Sequence, residues 1–470
     1  MRLLSTFVGA GLLAAGAFAP GGEPLTITRH YTPADRERDR YMYVPFEVAE
    51  GTTELRIKYA YDRAAGQNTI DLGVFEPGSL ELHTTAMRGY SGGSKSEVTI
   101  GECESSPGYE AGPLPPGRWH VMLGLYQVAP EGVEVTVSVG TGRAGCAPAP
   151  APGPRTFRDD GPRPTRWWSG ALHAHTVHSD GAESPVDVLR RVREAGLDFV
   201  AITDHNNITH VPEIVRLGRD QDERPLWIVG EEITTPAGHA NVWGVRGEWI
   251  DFRVRPHERR IGELVAAAHR QQAVFSINHP VGECAGCSWE HEIPPGVHAM
   301  EVWNGPRGPQ DGAVEIWERL LREGRRVTAV GASDWHRDPA PIDAPNVRVQ
   351  TDRLNGPDIF DAIRSGRVIV TRTSRDLIPD FFVRSAGESA TVGGTLTIAD
   401  SSSIIDIHAP GLTGGRAVVV LNGTRLPPVP LPAGARVRLQ QALAPGYIRL
   451  ETYDANGEMV AFTNPVFLMR

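Results

Sequence analysis

The sequence predicts a central α/β domain flanked by an N-terminal β-sandwich and a small C-terminal β domain. Three observations carry this reading. Between Trp167 and about Ser374, short apolar runs alternate with helical periods, the pattern of strands and crossover helices in a parallel sheet or a barrel. On either side of that span, only period-two alternation between Gly/Pro turns appears. A stiff, Pro-rich stretch from Ala147 to Pro164 separates the first two parts. The expected organisation is an export signal over 1–19, a β-sandwich over 24–146, a linker over 147–165, the α/β domain over 166–374 and the small β domain over 375–470.

In the N-terminal part, Tyr41–Phe46, Glu54–Tyr59 and Val133–Val137 read as strands, and no helical period of any length interrupts them. In the central part the apolar runs are Phe199–Thr203, Leu226–Val229, Ala273–Ile277, Met300–Trp303 and Val327–Val330. Helices lie between them. Ser184-Pro185-Val186-Asp187 supplies an N-cap, a proline at the first position and an acid at the third, and Gly196 follows the last turn. Glu258–Gln271 and Asp311–Glu323 carry the same 3.6-residue period.

A chain of 470 residues is long enough for two to four domains, and 40 % hydrophobic with 22 % charged residues is a globular composition. The net charge of −10 provides no basic surface for a nucleic-acid backbone, so nucleic acid is excluded as a partner. Met1-Arg2, an apolar run from Leu3 to about Ala15 and Ala17-Phe18-Ala19 form a charged, an apolar and a cleavage region. This is a cleavable export signal, cut after Ala19 or Ala17. The run is shorter than the ~20 residues that span a bilayer, and no later stretch is long and apolar enough to do so. The mature protein is therefore expected in the periplasm or outside the cell, with no integral membrane segment. Among four cysteines, Cys103 and Cys146 suit a bridge. Cys284-Ala285-Gly286-Cys287 suits a small disulfide loop or half of a zinc site. With no second thiolate pair nearby, an oxidising compartment favours the disulfide.

The residues that carry chemistry fall at the C-terminal ends of the apolar runs. They are His173-Ala174-His175 with His178-Ser179-Asp180-Gly181, then Asp204-His205-Asn206, Glu231-Glu232, His239, Asn278-His279-Pro280 and Ser333-Asp334-Trp335-His336. The C-terminal strand ends of a β/α barrel converge on one face, so ligands far apart in sequence meet in space. In His173-x-His175 and Asp334-x-His336, strand alternation sends both side chains to one side. Imidazoles with carboxylates and no thiolate suit Zn, Mn or Fe. The candidate ligands exceed what one tetrahedral ion takes, which implies two or three divalent ions. A lone histidine at a strand end is more often a hydrogen-bonded structural residue. On that ground His210, His257, His269 and His298 read as ordinary, as do His30, His83, His120 and His408 in the β domains.

These motifs, with Gly238-His239 and the closing Ile359–Arg367, resemble the PHP (polymerase and histidinol phosphatase) superfamily over about Leu172 to Thr371. In style they are most similar to the exported metallohydrolases grouped with CehA and McbA. The resemblance implies a distorted (β/α)7 barrel with a two- or three-metal centre. It implies that His173, His175, Glu232 and Asp334 hold one ion and that Glu232 bridges to a second held by His239 and His279. Asp180, His205 and His336 would hold a third, with His178 a rival ligand or a supporting partner. Glu232 rather than Glu231 is selected because the family places its ligand two residues after a glycine, here Gly230.

Ions so placed acidify a water between them and neutralise charge on the attacked oxygens. The expected activity is that of a metal-dependent phosphoesterase on a small phosphorylated molecule, with Asp180, His205 and Arg337 at the reacting centre. Arg337 or Arg307 suits a phosphate clamp, and Asn206 or Asn304 suits substrate orientation. Two other readings remain open. One is a carboxyl- or carbamate-ester hydrolase with the same centre. The other is a carbohydrate-binding protein in which the metals are structural. The sequence leaves the oligomeric state undetermined.

Overall fold

A computed structural model describes residues 24–63, 67–82, 86–144, 166–217, 225–254, 260–284, 286–399 and 403–470. The span expected to be an export signal (1–19), the span expected to be a linker (147–165), Cys146, His83 and His257 lie outside the described residues. Two compact units result. One comprises Met1–Gly89 with Lys95–Ala149, and the other Tyr90–Ser94 with Pro150–Arg470.

The first unit holds two four-stranded sheets. One runs in the order Leu25–Tyr31, Val133–Gly142, Glu54–Tyr61, Glu97–Gly101, all antiparallel. The other runs Tyr41–Val48, Gly117–Gln127, Thr69–Phe75, Met87–Gly92. Alternation fixes which face is buried: Leu55, Ile57 and Tyr59 point inward while Arg56 and Lys58 are exposed. Leu55 and Ile57 from one sheet share a single core with Leu72, Trp119 and Val121 from the other, which is sheet-on-sheet packing. A helix that the periodicity does not announce, Pro33–Arg38, sits beside them. Thr32 and Asp35 form its capping box: the Asp35 N–H donates to Thr32 Oγ1 and the Thr32 N–H to the Asp35 carboxylate. A helix of six residues is too short to leave a periodic apolar stripe.

In the second unit the central sheet runs in the order Thr328–Ala332, Ala299–Asn304, Val274–Ile277, Gly238–Trp243, Leu226–Thr235, Phe199–Ile202, Arg166–Ala171. Neighbours are parallel except around Gly238–Trp243, which is antiparallel to both Leu226–Thr235 and Val274–Ile277. That strand departs from simple strand–helix alternation. It follows Leu226–Thr235 through a two-residue turn, Pro236-Ala237, too short for a crossover. The two ends of the sheet meet at a bridge between Ala174 and Trp335. There the His175 N–H donates to Trp335 O (2.8 Å) and the Trp335 N–H to His173 O (3.3 Å).

The helices follow their sequence signals. Pro185–Glu194 begins at Ser184, whose hydroxyl accepts from the Asp187 N–H, and Gly196 takes φ 71° beyond its last turn. Ile261–Arg270, Asp311–Arg322 and Gly356–Arg364 follow, the last capped by Asn355. Phe199, Ala201, Trp243, Val274, Ala299 and Val330 pack together in one core. Val200 and Ile202, alternate residues on one of the same strands, pack against Val188 and Val192 of the first helix.

The sheet does not stop at about Ser374. Asn346–Thr351 pairs antiparallel with Arg166–Ala171, Val368–Thr371 pairs with Asn346–Thr351, and Met459–Thr463 pairs with Val368–Thr371. A second sheet, Glu388–Thr391, Asp380–Ser385, Ser403–His408, Arg436–Gln441, shares a core with Ile369 and Leu450. Buried Arg449 donates to Glu318 of helix Asp311–Arg322 (2.7 Å) and to Glu451 (2.8 Å). No described helix is long and apolar enough to cross a membrane.

Candidate metal centre

The residues expected to bind metal lie along one edge of the central sheet, except Asp180, which is carried on the turn after His175. His173 and His175 follow strand Arg166–Ala171, His205 follows Phe199–Ile202, His279 follows Val274–Ile277, and Asp334 and His336 follow Thr328–Ala332. His239 stands at the start of its strand rather than the end. Because that strand is antiparallel, its start lies at the same edge, with His239 paired to Thr234. Glu232 is fixed by a bridge to His205: its N–H donates to Asp204 O (3.1 Å), and the Asn206 N–H donates to Glu232 O (2.9 Å).

The Glu232 carboxylate is the hub. Oε1 lies 3.3 Å from His173 Nε2 and His239 Nδ1 and 3.4 Å from His279 Nε2, and it accepts from Asn278 Nδ2 at 2.9 Å. Oε2 lies 2.8 Å from His205 Nδ1 and 3.4 Å from His175 Nε2. Asp334 Oδ1 faces His173 (3.2 Å) and His175 (3.1 Å). Asp180 Oδ1 faces His336 (3.2 Å) and His205 (3.5 Å). Donor atoms of His175, Asp180, His205 and His336 lie within 4.8 Å of one another. So do those of His173, His175 and Glu232, and those of His205, Glu232 and His239. The nine expected ligands therefore form one continuous cluster in which His175, His205 and Glu232 are shared.

Electrostatics follow from that crowding. Burial alone pulls the His205 imidazole down, but Glu232 and Asp180 outweigh it and hold its pKa at about 10. His175 goes the other way, to about 4, because burial and the neighbouring His336 and His205 disfavour a further positive charge. Burial raises Glu232 and Asp334, yet the histidines around each pull both carboxyls well below the usual range. Buried carboxylates of this density need compensating cations.

The cluster fits divalent metals on a direct observation. Buried His173 Nε2, Asp180 Oδ1, Glu232 Oε2 and His279 Nδ1 have no hydrogen-bond partner. Three of these atoms stand instead against ionisable partners: His173 Nε2 is 3.3 Å from Glu232 Oε1, Asp180 Oδ1 is 3.2 Å from His336 Nε2, and Glu232 Oε2 is 2.8 Å from His205 Nδ1.

The surrounding residues are partly different from those the sequence singles out. Glu301, on strand Ala299–Asn304, is fully buried, and its Oε1 lies 2.8 Å from His173 Nδ1. Its Oε2 accepts from the His279 N–H and from Asn304 Nδ2, both at 3.0 Å. This carboxylate–histidine arrangement orients a metal-binding ring. The available signal was a lone glutamate inside an apolar run. Asp204 is no ligand. It accepts from the Thr176 N–H, Thr176 Oγ1 and Ser179 Oγ, each at 2.7 Å, and so shapes the loop that carries Asp180. His210, 3.0 Å from Asp204, belongs to that structural set.

His178 turns away from the centre, towards Thr209 (2.8 Å) and Glu213 (3.3 Å), and is not a rival ligand. Asn206 is also not free to hold substrate, since its side chain donates to Thr234 O and accepts from the Thr234 N–H. Asn304 is engaged with Glu301. Arg337 is exposed at the rim and donates to Asp180 O (3.2 Å), whereas Arg307 is exposed on the loop after Ala299–Asn304. Glu231 points to the opposite face from Glu232. It accepts from the Ile250 N–H (2.8 Å), and burial raises its pKa to about 8. Cys284 and Cys287 are joined in a disulfide, and Cys103 is disulfide-bonded as well.

A family profile of the PHP domain matches residues 171–271. That span holds His173, His175, Asp180, His205, Glu232 and His239 and ends before His279, Asp334 and His336. Among solved structures, a two-domain protein of Bacteroides vulgatus containing a predicted PHP-like metal-dependent phosphoesterase is 18 % identical. The match covers 67 % of this chain and 100 % of that one, with a TM-score of 0.38. A candidate metal-dependent phosphoesterase of Bifidobacterium adolescentis is 16 % identical over 43 % of this chain and 96 % of its own, with a TM-score of 0.30. An amidohydrolase of Chromobacterium violaceum, with bound sulfate and no metal, is 14 % identical over 42 % and 96 %, with a TM-score of 0.27. No curated protein matches the sequence.

Proposed function

We propose that the protein is an exported metal-dependent phosphoesterase of the PHP type, acting on a small phosphorylated substrate at the edge of a distorted seven-stranded barrel. The observation that carries this reading is the single cluster of five imidazoles around the two oxygens of buried Glu232, continued by Asp334, Asp180 and His336. His173, His175, Glu232 and Asp334 are suited to one ion, Glu232, His239 and His279 to a second, and Asp180, His205 and His336 to a third. Zn, Mn and Fe match these donors. Divalent ions held there lower the pKa of water and offset charge on the oxygens under attack.

The chain's own residues do the rest. Glu301 and Asn278 fix the rings and carboxylate, so little reorganisation is needed during reaction. Asp180 and His205, held on the more open side of the cluster, flank the reacting centre. Arg337 beside Asp180 offers a planar donor fork to a phosphate oxygen.

A substrate panel on the mature, metal-loaded protein tests the reading, with p-nitrophenyl phosphates set against naphthyl carbamates and acetates. Phosphate turnover is expected, and Arg337→Ala should raise KM about 10-fold with metal content unchanged, the loss of one charge-assisted contact of ~1.5 kcal/mol. Turnover confined to carbamates or acetates would replace the phosphoester reading, and no turnover of either class by a fully metallated sample would favour a binding protein.

A further inference from the structure

Asp180 and His336 are the most exposed of the expected ligands, with side chains 41 % and 28 % accessible against 1 % for Glu232. Burial therefore does least to hold them, and they stand on two different segments. Asp180 lies between His175 and the helix Pro185–Glu194, and His336 lies beyond strand Thr328–Ala332. The front of the first segment is fixed by the bonds from Thr176 and Ser179 to Asp204. Its far end needs another anchor.

Arg191 supplies that anchor. It stands in the second half of helix Pro185–Glu194, whose Val188 and Val192 are packed in a core with Val200 and Ile202. Helix side chains lean towards the helix N-terminus, and the Arg191 guanidinium reaches back past the N-cap to Glu183. Nη2 donates to Glu183 Oε1 at 2.8 Å and Nε donates to the same oxygen at 3.2 Å. Nη2 also lies 2.5 Å from Asp338 Oδ2. Glu194, on the same helix, is more distant at 3.9 Å. Glu183 comes three residues after Asp180, and Asp338 two residues after His336. One cation thus joins the two segments close to both ligands. Alongside it the Ala182 N–H donates to His336 O (2.8 Å) and Arg337 Nη2 to Asp180 O (3.2 Å). Between these ties Asp180 Oδ1 and His336 Nε2 stand 3.2 Å apart. Arg191 is 30 % accessible and Asp338 54 %, so ion pairs this exposed add little to stability. Their planar donor fork does fix direction.

We propose that Arg191 is the positioning residue of the third ion's site: by bridging Glu183 and Asp338 it holds Asp180 and His336 at the spacing a shared ion requires. It acts through those two carboxylates and is not itself a ligand. The proposal rests on the assignment of Asp180, His205 and His336 to a third ion.

Manganese content of the full chain after dialysis, with calorimetric titration of the most weakly held equivalent, tests this. Arg191→Met keeps an apolar stem and removes the fork. It should weaken that one equivalent by about 10–100-fold, the usual cost of losing a group that orients metal ligands, and leave the other two in place. Arg191→Lys keeps the charge without the fork and should fall between wild type and Arg191→Met. In a His336→Ala background, which already lacks a ligand of the same ion, Arg191→Met should cost no further metal. Glu183→Gln and Asp338→Asn each cut one arm and should each weaken the same equivalent, and neither should weaken it further once Arg191→Met is present. A third equivalent held as tightly in Arg191→Met as in wild type, or an equal weakening of all three, overturns the positioning role and leaves the metal centre standing. A wild type that holds no third equivalent overturns the third-ion assignment and the role with it. Should Arg191→Met fail to fold, the two carboxylate variants decide, and unchanged affinity in both overturns the role.

Discussion

Replacing Glu232 by glutamine tests the hub of the cluster, because the change keeps shape and one oxygen while removing a charge. Both oxygens face imidazoles at 2.8–3.4 Å, so ions held by those rings would lie within about 4 Å of the carboxylate charge. A unit charge pair at that distance is worth about 4 kcal/mol at an effective dielectric of 20. At 1.4 kcal/mol per decade, this corresponds to roughly a 10³-fold loss of affinity for at least one ion. Two further variants calibrate the result. Glu301→Gln disturbs only the carboxylate that orients His173 and should cost on the order of 10–100-fold. Glu231→Gln alters a side chain that meets the Ile250 N–H on the opposite face and should leave metal content unchanged. Mass-spectrometric metal analysis after dialysis, with calorimetric titration, orders the three. Equal metal content in Glu231→Gln and Glu232→Gln, or a greater loss in Glu231→Gln, would refute the assignment of faces along strand Leu226–Thr235.

Reconstitution with Mn or Zn should give about three metal equivalents, or two if Asp180 does not bind; one or none contradicts a multi-metal centre. A chelator should abolish activity and lower the melting temperature, since ligand at 100 times its Kd stabilises by about 2.7 kcal/mol per site; an unchanged melting curve counts against it. At Gly181, an added Cβ would meet the His175 carbonyl carbon and oxygen at 2.5 Å and Thr176 N at 2.6 Å. Gly181→Ala should therefore cost about 1–3 kcal/mol and release the ion at Asp180; unaltered stability and metal content would show that the loop yields. His298 accepts from the Phe275 N–H through Nδ1, and burial, His269 and Arg364 lower its pKa from 6.5 to about 4. The unfolded chain then takes up the proton first, so stability is intact above about pH 6.5 and declines as pH falls to about 4. His298→Asn keeps an acceptor without titrating and should flatten that decline in chemical denaturation; parallel profiles would remove His298 from the pH response.

The expected ligands were legible because their signals were local and repeated. His173-x-His175 and Asp334-x-His336 each offer two donors just past a strand end, and His205 and His279 each stand two residues after an apolar run, Phe199–Thr203 and Ala273–Ile277. What escaped the sequence depends on long-range pairing. Glu301 is one acid in an apolar strand, and only the sheet order Val274–Ile277, Ala299–Asn304, Thr328–Ala332 brings its carboxylate 2.8 Å from His173. His178 has the spacing of a ligand, but the hydrogen bonds from Thr176 and Ser179 to Asp204 turn the loop so that it meets Thr209 and Glu213 instead. The C-terminal strands read as separate because alternation cannot show that Met459–Thr463 pairs with Val368–Thr371.

Backbone conformation at the site is the part that local sequence could not carry. Asn206, His279 and Asp334 adopt φ of 53°, 24° and 51°, a region that non-glycine residues enter rarely. Each costs on the order of 1–3 kcal/mol and persists only where the surroundings over-determine it. The surroundings do so here. Asn206 is clamped by paired bonds to Thr234, the residue after His279-Pro280-Val281 returns its N–H to His279 O, and Asp334 is followed at once by Trp335, whose N–H donates to His173 O and whose carbonyl accepts from the His175 N–H. Two of the three strained residues are candidate ligands, and the third braces the strand next to Glu232. The strain therefore lies where side chains must leave a strand end at a fixed angle to reach a common point, and the packed sheet, not the centre, holds the ligands in place before any ion binds.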